Sequence, residues 1–170
     1  MATIKRLLFT VVVICAIVCN FFAVFSIAWV TDWSGSIGLF PLWDITIGWY
    51  IAASSLMYVS FLCSVLVFIQ LIITSNNVRK NGYSHLQRGK FISIAVFSLL
   101  ITVSTAVAVI LIAVNLPHMN KKYYDNATLG YSAWFSVAGA VFYLVVAGFS
   151  ISYARVECSF TKSQEPCSII

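Results

Sequence analysis

Residues able to do chemistry are few in this chain. Its 170 residues include five cysteines, two histidines and five acids. Cys15 and Cys19 stand four apart, which on a helix sets both thiols on one face, a spacing suited to a metal ion or a redox pair. Both lie inside a long uncharged run, however, and a thiol in apolar surroundings is inert. Cys63 sits alone in a second such run, and Cys158 and Cys167 follow the last one. His85 and His118 fall in polar connections that belong to opposite sides of a membrane, so no histidine dyad or metal cluster is available. The acids are scattered. No HExxH, GxSxG or glycine-rich phosphate loop occurs, and no ionisable residue within an apolar run marks a proton or ion path. The expectation is a protein without catalytic, cofactor or metal site, and without a nucleic-acid partner.

The elements that carry these residues are written in the charge pattern. Hydrophobic residues make up 61% of the chain and charged ones 9%, where soluble domains have about 45–50% and about 25%. No Asp, Glu, Lys or Arg occurs between Arg6 and Asp32, Asp44 and Arg79, Lys90 and Lys121, or Asp125 and Arg155. A mid-bilayer charge costs about 2.5–3.5 kcal/mol on insertion scales, so four long uncharged gaps read as four spans. These are placed at 7–30, 46–74, 91–115 and 131–154, with a tail over 155–170. Each exceeds the roughly 20 residues that a crossing helix needs. Lipid cannot satisfy an open backbone, and the period-2 alternation of a barrel strand is absent. The fold expected is all-α: one tetraspan domain, a left-handed bundle with short outer loops and room for a small β element in the first.

Orientation follows from the cations. Lys5, Arg6, Arg79, Lys80, Arg88, Lys90, Arg155 and Lys162 flank one side, whereas Lys121 and Lys122 share the other with Asp32, Asp44 and Asp125. The positive-inside rule places both termini and the middle connection in the cytoplasm of a multi-pass plasma-membrane protein. The first apolar run is too long for a cleaved signal peptide and reads as a retained signal-anchor.

Between the first two spans runs TDWSGSIGLFPLWDI, glycines and a proline among aromatics. Trp29, Trp33, Trp43 and Trp49 cluster at this boundary, either as an aromatic belt or as a recognition surface built on the same residues. Small residues mark the helix faces. Gly48 and Ala52 have the small-xxx-small spacing that lets backbones approach, and Gly139 and Gly148 lie in the fourth span. The third span offers Ser98, Thr102, Ser104 and Thr105 for interhelical hydrogen bonds. Asn126-Ala127-Thr128 is an N-glycosylation sequon on the outer side.

The tail holds competing signals. Cys167-Ser168-Ile169-Ile170 fits the prenylation outline, although Ser168 is not aliphatic. Ser168 and Ile170 also fit a carboxylate-terminated PDZ ligand, added as a strand to a sheet edge of a cytoplasmic scaffold. The two exclude each other, and a plain solvated tail is the third reading. A four-span protein gains little from a prenyl anchor, which favours PDZ of the first two. Cys158, just past the fourth span, is a candidate for S-palmitoylation.

Trp33 followed by Gly38-Leu39-Phe40, then Gly130-Tyr131-Ser132-Ala133-Trp134 opening the fourth span and Tyr153-Ala154-Arg155-Val156-Glu157-Cys158 closing it, form a recognisable set. With four spans and inside termini, this resembles the claudin, epithelial membrane protein and peripheral myelin protein superfamily. Trp33 matches the family's first-loop Trp, and Gly38-Leu39-Phe40 its Gly-Leu-Trp motif. The two cysteines that the family carries in this loop have no counterpart, and the loop is short for the family's extracellular sheet, so paracellular pore function is not carried over. The resemblance implies a non-enzymatic protein that organises junctions or membrane domains through lateral helix contacts and an outer surface of Trp33, Gly38, Leu39, Phe40 and Trp43. Its partners would be membrane lipid and other integral membrane proteins. Two other roles stay open: an auxiliary subunit of a channel or receptor complex, and a homo-oligomeric pore lined by the third span's hydroxyls.

Overall fold

The structure, a computed structural model, describes residues 2–32, 35–39, 48–81, 85–122 and 128–161. Four helices dominate: α1 Ala2–Phe25, α2 Gly48–Asn81, α3 His85–Lys122 and α4 Tyr131–Thr161. Each contains a window long and apolar enough to cross a membrane: Leu7–Phe25, Gly48–Val78, Arg88–Pro117 and Tyr131–Arg155. They run up and down. α2 packs on α3, α3 on α4 and α4 on α1, with a lighter seam between α1 and α2. A third or so of each window is buried inside the bundle; the rest, rich in Leu, Ile, Val and Phe, faces outward. That inverted surface is what lipid requires, since lipid tails are as apolar as the side chains that touch them.

The helices depart from the charge-gap reading at several ends, two of them on the sheet side. The first span was expected to continue to Val30, yet α1 stops at Phe25. A helix end leaves carbonyls without donors, and here the Trp29 indole donates to the Ala23 carbonyl. The freed segment then becomes β1, Val30–Asp32, antiparallel to β2, Gly35–Ile37. At the other boundary α3 runs past Asn115 through Pro117 to Lys122. Pro117 lacks an N–H, so it cannot serve the carbonyl four residues back. Two residues before it, Asn115 turns its side-chain amide back onto the Leu111 carbonyl of its own helix at 2.7 Å.

The first loop, although short, does hold a sheet. It borrows a third strand, β3 Thr128–Leu129, from the residues just before α4, giving the order β2-β1-β3. Val30 pairs with Ile37 on one side and Leu129 on the other; Thr31 pairs with Ser36 and Thr128.

Two buried clusters share the bundle. One, at the sheet end, centres on Trp29, Leu39, Tyr50, Met57 and Ile112. The other, at the end holding both termini and the α2–α3 connection, centres on Phe9, Val67, Phe91, Ile94 and Tyr143.

Candidate functional site

The sheet forms a cap on the bundle, and its attachment is specific. Gly130 donates its N–H to the Trp29 carbonyl at 2.9 Å, and Ser132 donates to the Ala28 carbonyl at 3.2 Å, so the start of α4 is stitched to the end of α1. The Ser26 and Ser132 hydroxyls hydrogen-bond across the same seam. From α2, the Tyr50 hydroxyl donates to the Gly38 carbonyl at 2.9 Å, and the Tyr58 hydroxyl reaches the Leu39 carbonyl at 3.5 Å. Trp29 is 0% exposed and Leu39 is 1% exposed, so both are plugs in the bundle. The indole of Trp29 therefore belongs to the core, not to an interfacial belt. Trp49 is half-buried and packs edge-on to Tyr50.

Two glycines make this attachment possible. A Cβ on Gly38 would lie 2.7 Å from the Ile27 Cα, and one on Gly130 would lie 2.0 Å from the Ala28 carbonyl oxygen. Both obstacles are backbone, which cannot rotate away, so only glycine lets these chains approach so closely. Of the proposed outer surface, Gly38 and Leu39 thus hold the cap down. Trp33, Phe40 and Trp43 lie outside the described residues, as do Asn126, Cys167, Ser168 and Ile170. Thr128, the third position of the sequon, sits in β3 opposite Thr31, hydroxyl to hydroxyl at 3.4 Å. Cys158 lies in the last part of α4.

The small residues divide. Gly139 is buried against α1, where an added Cβ would meet Cys19 Cβ at 3.4 Å. Gly48, Ala52 and Gly148 face outward, and a Cβ on Gly48 or Gly148 would meet nothing within 4 Å. Within one chain, then, these three bring no helices together.

A polar chain crosses the bundle interior, and of its members the sequence marks only Thr105. Asn20 on α1 donates its amide to Ser60 on α2 at 3.2 Å, and Ser60 meets Thr105 on α3 at 3.1 Å. A neutral amide carries no charge and so leaves no mark on a search for ionisable groups; the signal available was an Asn within an otherwise apolar run. Thr102 donates to its own helix at the Ser98 carbonyl and also approaches the Ala140 carbonyl of α4 at 3.4 Å. The hydroxyls of α3 are accordingly turned inward, with Ser98, Ser104 and Thr105 all buried. Cys15 is exposed, Cys19 half-buried and Cys63 buried, all as free thiols, and among the described residues no three His, Cys, Asp or Glu side chains are grouped to hold a metal.

No curated protein matches the chain. The model of a protein family does, over residues 1–167, under the description of a tight junction protein, claudin-like. With four membrane-length helices, a small antiparallel sheet at one end and a family match over nearly the whole length, the chain belongs to the claudin-like family of tight junction proteins.

Proposed function

We propose that this claudin-like membrane protein is a non-enzymatic organiser of cell junctions or membrane domains, held in the plasma membrane with both termini cytoplasmic. The observation that carries the reading is the way the cap is fastened. Backbone hydrogen bonds from Gly130 and Ser132, together with the Tyr50 hydroxyl, tie a three-stranded sheet rigidly to three of the helices. A surface held in this way can present a fixed shape to a neighbour without ordering on contact, which lowers the entropic cost of association. Lateral contacts would use the outward faces, including Gly48 and Ala52 on α2. That stripe also supports a second reading, an auxiliary subunit whose α2 receives a helix of a channel or receptor. The pore reading draws less support, because the α3 hydroxyls that would line it are turned into the protomer.

The deciding experiment expresses the full chain with Gly38→Val in contacting cells. Accumulation at cell–cell contacts should be lost, while Gly148→Ala, which meets nothing, should leave it intact. Unchanged localisation of the Gly38 variant, with the cap shown to be disturbed, would refute the adhesive role. Purification in mild detergent then separates self-assembly from a stoichiometric larger partner. The tail is tested by Ile170→Asp, which should abolish capture by a PDZ scaffold.

A further inference from the structure

Among the described residues Asn20 is the one buried polar side chain of α1, and its amide opens the chain of hydrogen bonds to Ser60 and on to Thr105. We propose that Asn20 is a positioning residue for the cap: it fixes the height of α1 in the bundle, so that the cap's bonds to the far end of that helix meet in frame.

Packing alone leaves that height loosely set. Above Phe9 the inner face of α1 reads Val13, Ala16, Asn20, Ala23 and Val24, all buried and at steps of three and four. Apart from Asn20 these are small and apolar. Opposite stands Gly139, whose missing Cβ leaves α4 smooth against Ala16, Cys19 and Asn20. Slid by one turn, about 5.4 Å, such a face meets its neighbours again with like against like. The seam with α2 is the lightest between neighbouring helices, and the Asn20–Ser60 bond crosses it. Sliding would carry the amide away from Ser60 into apolar surroundings, where an unpaired polar group is costly. A single buried Asn sets register in coiled coils by the same penalty, at a cost in stability. That cost is visible here, because Asn20 Oδ1 is buried without a hydrogen bond. The residue serves uniqueness more than strength.

Height matters because the cap grips the residues just beyond the helix. Gly130 and Ser132 donate to the carbonyls of Trp29 and Ala28, and α1 ends at Phe25. A displacement of one turn exceeds hydrogen bonds of 2.9 and 3.2 Å. It would part both of them, together with the pairing of β1 and β3. Asn20 lies more than a turn below the helix end, so it acts on these bonds through the helix, from the membrane interior.

The test counts cap states by hydrogen exchange and mass spectrometry on the full chain in nanodiscs, reading a peptide that contains Gly130 and Ser132. The wild type should show one protected population. Asn20→Leu, apolar and of similar size, should add an unprotected population of about 10% or more, while the unfolding midpoint in detergent holds or rises. Asn20→Ser keeps a hydroxyl for Ser60 and should shrink that population. Thr102→Val, which removes a polar contact between α3 and α4, should leave a single one. One protected population in Asn20→Leu overturns the proposal, and a lowered midpoint beside it would mean that the amide adds only strength. An equal unprotected population in Thr102→Val overturns it as well, since any lost polar contact would then loosen the cap. Should Asn20→Leu yield no helical protein, Ser60→Ala decides. It removes the acceptor of the Asn20 amide, and the proposal falls if the second population is missing there.

Discussion

The two ends of the bundle solve the same packing problem with different chemistry. At the cap end, large side chains are pinned by directed bonds: Trp29 to the Ala23 carbonyl, Tyr50 to Gly38, Tyr58 to Leu39. At the terminal end, rings pack on rings. Phe9 meets Tyr153 edge-on at 5.8 Å, and Phe91 stacks on Tyr153 at 5.6 Å. More polar atoms there lack partners, with Gln70 Oε1, Thr74 Oγ1 and Ser150 Oγ buried without a hydrogen bond, against Ser54 Oγ toward the cap. Inside a bilayer no hydrophobic force draws helices together, so packing and hydrogen bonds must supply specificity. The cap end has both, and the terminal end has mainly the first. The cap end is thus held in one shape by directed bonds, and the terminal end chiefly by the fit of its rings.

That contrast can be broken by substitution, read as unfolding free energy in detergent. The largest effect is expected for Gly130→Ala, whose new Cβ would sit 2.0 Å from a backbone oxygen; a loss of about 3 kcal/mol, the upper range for overpacking, should appear. Trp29→Phe removes a buried indole donor and part of its volume, for about 2 kcal/mol. Tyr50→Phe removes the hydroxyl that donates to Gly38 and should cost about 1 kcal/mol. At the terminal end the sign reverses. Thr74→Val replaces an unpartnered hydroxyl by a methyl of the same shape and should stabilise by somewhat under ~1 kcal/mol. Gly148→Ala, in open space, should change stability by less than about 0.5 kcal/mol. A destabilising Thr74→Val would erase the distinction between the two ends.

Much of this was legible in the residues. Charges are so costly in hydrocarbon that their gaps outline the helices, and the four windows follow the gaps, the third and fourth taking in the bounding cations Arg88, Lys90 and Arg155. The edges were harder because they depend on tertiary bonds. Nothing local tells that Ser26 closes a helix; that depends on Trp29 folding back and on strands from distant segments. Trp29 looks like a belt residue by position, since belt and core tryptophans share the same sequence neighbourhood. Gly38 was readable as part of a family motif, but its reason, contact with the backbone at Ile27, is three-dimensional. Gly48, Ala52 and Gly148 have the spacing and type of packing residues, yet a helix carries such residues on whichever face needs them. Spacing names the face without naming the neighbour.

The sheet has a consequence for how the protein is made. Thr31 and Thr128 are partners 97 positions apart, so β1 cannot complete its pairing until β3 has been synthesised. At about 5–20 residues per second, that leaves the first loop with one edge open for roughly 5–20 s. Pairing of β1 with β3 therefore reports that the chain has reached the threshold of its last helix, and an unfinished or misthreaded chain displays a bare strand edge to the quality-control machinery of its compartment.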